Sequence, residues 1–313
     1  MDCSNISSIS ADRISIRRAL MTRDSAWHQP QPQTWRAIRD IIFDWMIIFV
    51  SVWAVYRVGW MITPVALLII GNRQRALGNL LHEASHGNLS AHRRINDCLA
   101  HLLLAAPLLA SLSVYRDQHA RHHAWLGDPQ HDPDVLLQLA HEDDRWYHAY
   151  ARCLAKSTML RGSLMGHFSG RNLACRQQVE IFAWWLVTGL TIAMVDLHFA
   201  AVFGALWLGA RITVFHAITT FREMTDHYGL KPGGIFSFTR EIPNHGPLSV
   251  LLHPHHNGYH LTHHLFPAVP YHQLPRLHAR LMVLEEYGDR AFVCHAYLNG
   301  SPSGVAGWGA HHG

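Results

Sequence analysis

The sequence predicts an all-α integral membrane protein, with four transmembrane helices in two hairpins and a cytoplasmic helical cap that carries clustered histidines. Three observations support this fold class. Charged residues make up only 15% of the 313-residue chain, against about 25% in ordinary globular proteins. Long apolar runs occur in two pairs, and a turn of a few residues separates the members of each pair. The 27 histidines are clustered instead of being spread along the chain.

The paired apolar runs are the predicted membrane crossings. The first pair covers residues 41–56 and 60–71, and the second covers residues 181–195 and 197–217. The two runs of the first pair are short against the ~20 residues of a spanning helix, but flanking residues can extend both. A further apolar run at 99–114 lies between two histidine clusters. It cannot cross the membrane if both clusters share one side, so we expect an interfacial or re-entrant helix.

The chain divides into three expected segments. Residues 1–40 are polar and lack the apolar core of a cleaved signal peptide, so we expect a cytoplasmic N-terminal segment. Residues 41–295 form the expected membrane domain, and the polar stretch 125–178 within it is expected to be a cytoplasmic helical subdomain. Residues 296–313 are rich in glycine and are expected to be disordered.

The distribution of arginine predicts the orientation. Arginines are frequent in residues 1–40 and around the histidine clusters, whereas the short turns between paired runs hold only Arg57. The positive-inside bias therefore places the clusters and both termini in the cytoplasm, at a bacterial-type inner membrane or its equivalent. The net charge of +4 is small and dispersed, so no nucleic acid partner is expected.

Three histidine clusters have the spacing of metal ligands. One is an HxxxH pair and two are HxxHH boxes, and residues four apart share one face of a helix. A mononuclear zinc site needs three or four protein ligands, so eight imidazoles predict two metal ions. Imidazole binds iron, zinc, copper and nickel, so ligand type does not select the metal. The eight candidates are His82, His86, His119, His122, His123, His260, His263 and His264.

His227 is a ninth candidate, because it lies directly after the fourth predicted crossing. Glu223 lies four residues earlier on the same helical face. Its carboxylate can reach a metal through water or orient a ligand. Asn257, at the start of the third cluster's segment, is a further candidate for supporting a ligand or contacting substrate.

Polar residues lead from the membrane towards the first histidine pair. Arg75 and Asn79 share a helical face with that pair, and Arg211 lies inside the fourth predicted crossing. Charges at such depth are costly and usually face a cavity or a partner. Arg75 can pair with an acid such as Asp44 or Glu83. The alternative is that Arg75 or Arg211 binds a carboxylate or another polar group of a substrate.

The motifs resemble those of the membrane fatty acid desaturase/hydroxylase superfamily, whose members share three histidine boxes. The resemblance covers roughly residues 40–280, and the context of the third box is its most specific part. The matching stretches are His-Glu-Ala-Ser-His-Gly at 82–87, Tyr-Arg-Asp-Gln-His-Ala-Arg-His-His at 115–123, Asp132-Pro-Asp134, Asp-His-Tyr-Gly-Leu at 226–230, Thr239-Arg240 and residues 257–278.

The resemblance implies two iron ions, O2 as co-substrate, and a desaturase that introduces a C=C bond. Its substrate would be a fatty acyl chain or a smaller amino-acid-derived metabolite in the lipid bilayer. A hydroxylase of the same superfamily is the alternative. No flavin, haem or iron–sulfur motif is visible, so electrons are expected from a separate donor such as a ferredoxin with its reductase. The implied iron ligands are the eight clustered histidines and His227.

Two alternatives come from other functional classes. His82-Glu83-Ala-Ser-His86 also matches the HExxH signature of zinc peptidases, in which Glu83 would be the general base of an intramembrane protease. That alternative leaves both HxxHH boxes unexplained. A histidine-rich metal carrier or sensor would explain the clusters but not the sequence around the third box.

Overall fold

A computed structural model describes residues 3–136, 145–169 and 173–309. Parts of all three expected segments lie outside the described residues, including residues 1–2 of the N-terminal segment. The others are residues 137–144 and 170–172 of the polar subdomain, and residues 310–313 of the glycine-rich end.

The described residues are mostly helical. The first helices are α1 (Cys3–Arg23), α2 (Thr34–Val58), α3 (Thr63–His86), α4 (Arg93–Ala100), α5 (Leu112–Ala124), α6 (Trp146–Ala155) and α7 (Ser157–Met165). They are followed by α8 (Cys175–Val195), α9 (Leu197–Ala210), α10 (His216–His227), α11 (Ile235–Phe238), α12 (Pro247–Leu252), α13 (His260–Leu265), α14 (Leu274–Leu281) and α15 (Glu285–Arg290). Two short strands, β1 (Arg240–Glu241) and β2 (Phe292–Val293), pair in parallel.

The chain forms two compact units. The long-helix unit comprises Gln33–Tyr115 and Leu154–Thr220, and the histidine-rich unit comprises Met1–Pro32, Arg116–Cys153 and Phe221–Gly313.

Three helices among the described residues are long and apolar enough to cross a membrane. They are α2, α8 and the continuous helix Leu197–His227, which joins α9 to α10 through a π-helical turn. The predicted crossing at residues 60–71 forms only a short 3-10 turn and the first part of α3, whose second half is polar. The sequence predicts four crossings, and these helices match three of them by length and composition.

Aromatic stacking and one buried ion pair join the helices of the long-helix unit. Trp45 of α2 stacks on Trp207 of α9 with ring centroids 5.4 Å apart. Asp44 of α2 is fully buried and lies 2.8 Å from the guanidinium Nη1 of Arg73 on α3. Asp44 is one of the two acids that the sequence suggested for Arg75, and in the structure it pairs with Arg73. A buried ion pair needs close complementary geometry, because each charge has lost its water.

The apolar run at 99–114 is broken and does not form the single helix that was expected. Helix α4 ends at Ala100, a π-helical turn covers His101–Ala105, and α5 begins only at Leu112. Pro107 lies in the break, and proline cannot donate the hydrogen bond that would continue a helix. Leu109 has φ of 58°, so the chain turns sharply at this point.

The histidine-rich unit has its own hydrophobic core. Helix α1 contributes Ile9, Ile16 and Leu20, each at most 2% exposed. The glycine-rich end also belongs to this unit's core, because Trp308 is fully buried against Phe221 with ring centroids 5.1 Å apart. The expectation of disorder is therefore wrong for residues 296–309. The glycine content suggested a disordered segment, but the burial of the Trp308 indole ring holds this segment against the core.

Substitution of Gly71 tests the packing of α3 against the π-helical turn at Arg211–Phe215. A Cβ at this position would lie 2.6 Å from Val214 Cβ and 2.8 Å from the backbone nitrogen of Phe215. We expect Gly71→Ala to lower the free energy of unfolding by about 1–3 kcal/mol, because the added methyl group has no space. Unfolding in detergent measures this change. Gly204→Ala in α9 is the control, since no described atom lies within 4 Å of its added Cβ; equal effects of the two variants would contradict the packing argument.

Candidate metal centre

Seven histidines of the histidine-rich unit converge in two sets. The C-terminal half of α5, the last residue of α10 and the short helix α13 supply the rings. Within each set, the candidate ligand atoms all lie within 4.8 Å of one another. The first set is His122, His227, His260 and His264, and the second set is His119, His123 and His263.

The Nε2 atoms of the rings point at one another. In the first set, His260 Nε2 lies 2.9 Å from His227 Nε2 and 3.1 Å from His264 Nε2. In the second set, His123 Nε2 lies 2.9 Å from His119 Nε2 and 3.1 Å from His263 Nε2. Nitrogens this far apart match neighbouring ligands of one metal ion about 2.1 Å from each, at roughly a right angle. The donor set therefore fits metal ions.

Two of the rings have a hydrogen-bond acceptor at Nδ1, which orients them to bind a metal ion through Nε2. His122 Nδ1 donates to Asp132 Oδ1 at 2.9 Å, and His227 Nδ1 donates to the carbonyl oxygen of Phe238 at 2.6 Å. A neutral imidazole that donates through Nδ1 has its lone pair on Nε2. This is how ligating histidines are usually oriented, so both rings present a free lone pair to the centre of the first set.

Burial favours the neutral form of two rings in the first set, whereas nearby carboxylates favour the charged form of a third. Burial, together with neighbouring rings, lowers the pKa of His260 and His264 well below the ordinary value. Burial also acts to lower the pKa of His122, but the hydrogen bond to Asp132 and nearby carboxylates, including Asp226, outweigh burial and raise it. Asp132 thus stabilises positive charge on the His122 ring, and the same field stabilises a cation bound at Nε2.

Two adjacent residues of β1 hold the helix ends that carry the ligands. Arg240 is fully buried and donates to the carbonyl oxygen of Tyr228 at 2.8 Å, just beyond the end of α10. Burial lowers the pKa of Arg240 to about 10, so it stays charged at neutral pH and suits the negative end of the helix dipole. Glu241 accepts from the backbone nitrogen of Thr262 at 2.9 Å in the first turn of α13. Together they fix the backbones next to His227 and His260.

The first histidine pair lies on α3, in the long-helix unit. The rings of His82 and His86 have centroids 5.3 Å apart, as expected for residues four apart on a helix. His82 Nδ1 lies 3.3 Å from a carboxylate oxygen of Glu83. Glu83 also accepts from Asn88 Nδ2 at 3.2 Å.

The predicted polar residues of the long-helix unit have different surroundings. Arg75 is buried and donates to Asn79 Oδ1 at 2.5 Å. Arg211 is also buried, and it donates to the carbonyl oxygens of Leu164 at 3.1 Å and Leu108 at 2.8 Å. Arg211 therefore satisfies backbone carbonyl oxygens near the C-terminal end of α7 and in the break between α4 and α5.

Two supporting carboxylates were not among the candidates from the sequence. Asp226 Oδ2 lies 3.4 Å from His260 Nε2, whereas the predicted Glu223 is partly exposed on α10. Asp132 supports His122; its place after the second box was visible in the sequence, but its contact depends on the loop fold. Asn257 is buried, and its Oδ1 accepts no hydrogen bond from the described residues.

A family model described as fatty acid desaturase matches residues 58–296, about three quarters of the chain. The chain belongs to the fatty acid desaturase family. This desaturase is thus an oxidoreductase, and its apolar helices fit an integral membrane protein. Family membership favours the oxidoreductase over the zinc protease and the metal carrier.

Curated relatives agree with the family. The chain is 25% identical to dihydrorhizobitoxine desaturase of Bradyrhizobium elkanii over 250 residues, which cover 73% of this chain and 70% of the relative. It is 23% identical to an endoplasmic reticulum omega-3 fatty acid desaturase of Nicotiana tabacum over 271 residues, which cover 76% and 68%. Both relatives are named desaturases, one of dihydrorhizobitoxine and the other of omega-3 fatty acids.

Asp132 tests the support of the first set. We expect Asp132→Asn to lower the affinity for a divalent metal by about 10–100-fold, because the partner that orients a ligating histidine is weakened. Metal titration of the purified protein in detergent measures the affinity. The control is Asp128→Asn, since Asp128 bonds within its own loop, to Gln130 and His131. Unchanged affinity in Asp132→Asn would show that His122 needs no carboxylate.

Proposed function

We propose that the protein is a membrane desaturase that uses O2 and two iron ions held by nine histidines. The observation that carries this proposal is the convergence of imidazole nitrogens in two sets, in a chain of the fatty acid desaturase family. Nine imidazoles are too many for one ion. The proposed ligands are His82, His86, His119, His122, His123, His227, His260, His263 and His264.

We propose that the two sets of histidines each hold one ion. His122, His227, His260 and His264 would hold one ion. His119, His123 and His263 would hold the other, and the resemblance to three-box proteins supports His82 and His86 as the remaining ligands. Glu223 and Asn257 are proposed to support the ligands or contact the substrate.

The chemistry requires an external source of electrons. Bound iron with O2 supplies an oxidant strong enough to remove hydrogen from an unactivated C–H bond. Forming a C=C bond takes two hydrogens from the substrate, and reducing O2 to two waters takes two further electrons and two protons. The sequence holds no flavin, haem or iron–sulfur motif that would store them. We therefore propose a separate donor, such as a ferredoxin with its reductase.

The residues of this chain orient the ligands and keep charge near them. Asp132 and the carbonyl oxygen of Phe238 accept from Nδ1 of their histidines and leave Nε2 free to bind. Asp226 places a carboxylate beside His260 and also pairs with Arg222 at 2.7 Å. The rings of α13 are buried, so bulk water has little access to the ligand atoms.

We propose four crossings in two hairpins, with the histidines and both termini in the cytoplasm. Helices α2 and α3 would form the first hairpin, and α8 with the Leu197–His227 helix the second. Tyr56 near the end of α2 donates to Asp196 Oδ2 at 2.8 Å, in the turn between α8 and α9. This bond supports the proposal, because it brings the turns of both hairpins to one end of the long-helix unit. The positive-inside bias supports the orientation.

The proposed substrate is a small polar, amino-acid-derived metabolite. Two observations favour it over a fatty acyl chain, which is the second candidate and is supported by the similarity to omega-3 desaturases. One is the similarity to dihydrorhizobitoxine desaturase. The other is the buried pair Arg75 and Asn79, on the face of α3 that leads to the first histidine pair. A buried guanidinium suits a substrate carboxylate.

Metal and turnover test the ligand assignment together. We expect about two irons per chain in the wild type. In His263→Ala, iron content should fall and turnover should be lost, because a ligand nitrogen is removed from a shared set. Elemental analysis and a reconstituted assay measure both quantities. His295→Ala is the control, since His295 is exposed. One zinc per chain, or an active and iron-replete His263→Ala enzyme, would refute the proposal.

Mass spectrometry of cells with and without the gene identifies the substrate class. The desaturase product is expected to lack two hydrogen atoms relative to its precursor among small polar metabolites. A product with an added oxygen atom would favour a hydroxylase. A new double bond in lipid acyl chains would show that the substrate is a fatty acyl chain and not the metabolite.

Arg75 tests recognition of the carboxylate. We expect Arg75→Gln to lower kcat/KM for the metabolite by about tenfold to hundredfold, since a hydrogen bond between charged groups contributes about 1.5–3 kcal/mol. Arg57→Gln is the control, because Arg57 is exposed at the end of α2. Arg211→Ala should lower stability, because it strips two carbonyl oxygens of their donor. Unchanged kcat/KM in a folded Arg75→Gln enzyme would remove the carboxylate role.

A further inference from the structure

Arg13 of helix α1 contacts two of the proposed metal ligands. Its Nε donates to the carbonyl oxygen of His264 at 3.0 Å, and its Nη2 donates to the carbonyl oxygen of His123 at 3.4 Å. The same Nη2 lies 3.2 Å from Nδ1 of the His123 ring. A carbonyl oxygen accepts whichever tautomer its ring adopts, so the guanidinium joins the backbone of α5 to that of α13.

These contacts lie at the junction of the two histidine sets. His123 belongs to the second set and His264 to the first, and their rings stack with centroids 4.3 Å apart. Arg13 therefore touches one member of each set. The family match begins at residue 58, so helix α1 and Arg13 lie outside the part of the chain that the family defines.

Helix α1 is held in place without Arg13. Ile9, Ile16 and Leu20 are buried in the core of the histidine-rich unit. Asp12 accepts from the backbone nitrogen of Ile235 at 2.8 Å and forms an ion pair with Arg290. Removing the Arg13 side chain therefore leaves most of the contacts that dock the helix.

We propose that Arg13 is a positioning residue of the metal centre, which holds His123 and His264 at a fixed separation. This inference rests on the proposed function only in that these histidines bind metal. Arginine suits the role because its planar fork presents several donors in fixed directions, so one side chain can bind two acceptors at once. Lysine keeps the charge but lacks the fork. Groups that orient ligands affect metal affinity by about 10–100-fold.

Cobalt(II) binding to the full-length protein in detergent tests this role. Cobalt(II) is the probe because its visible spectrum reports ligand geometry, whichever metal is native. We expect Arg13→Gln to weaken cobalt binding about 10–100-fold and to change the visible spectrum, while the unfolding temperature of the metal-free protein stays the same. Arg13→Lys should restore little of the affinity. Arg17→Gln, an exposed position on the same helix, should behave as wild type.

The outcomes separate this inference from the proposed function. A wild-type protein that binds no cobalt would refute the metal centre itself. Wild-type affinity and spectrum in Arg13→Gln would overturn the positioning role alone, and so would full rescue by Arg13→Lys. A lower unfolding temperature with an unchanged spectrum would overturn it in favour of a purely structural role. If Arg13→Gln does not fold, the spectrum of Arg13→Lys decides between the same outcomes.

Discussion

The crowding of buried imidazole nitrogens is the constraint on which this structure depends. His260 Nε2 lies within 3.1 Å of two other ring nitrogens, and His123 Nε2 does the same in the second set. Neutral rings accept this arrangement when their lone pairs share a cation and their other nitrogens meet acceptors. Asp132 and the carbonyl oxygen of Phe238 are two such acceptors. A fold that displaced either would leave a buried donor without its partner, at a cost of about 1–3 kcal/mol.

The helices that carry the candidate ligands are short or end at these histidines, so their ends need support. Helix α13 has only six residues, too few for its own hydrogen bonds to hold it. Glu241 caps its first turn through Thr262 and also lies 2.9 Å from His278 Nδ1. Arg240 serves the end of α10 from the neighbouring position. Strand β1 thus holds His227 and the third box at fixed positions relative to each other. Its pairing with β2 connects it to residues 292–293.

The helical period made the clustering of the histidines predictable from the sequence. Histidines three and four apart share a helix face in any helix, so the three clusters could be read without a fold. The supporting contacts were not predictable in this way. Arg13 is 251 positions from His264, and nothing in its sequence context distinguishes it from the exposed Arg17 and Arg18. The break at Pro107 and the burial of Trp308 also depended on packing that composition does not describe.

The sequence by itself determined the family, the histidine clusters that could bind metal and most apolar helices, because these follow from residue type and local spacing. Tertiary structure decided which groups support each ligand, and the reason is physical. A buried polar atom is satisfied by whichever partner the packed chain brings within about 3 Å, and that partner is usually distant in sequence. Asp44 therefore pairs with Arg73, Arg211 serves backbone carbonyls, and Arg13 reaches the second and third boxes from the N-terminal helix.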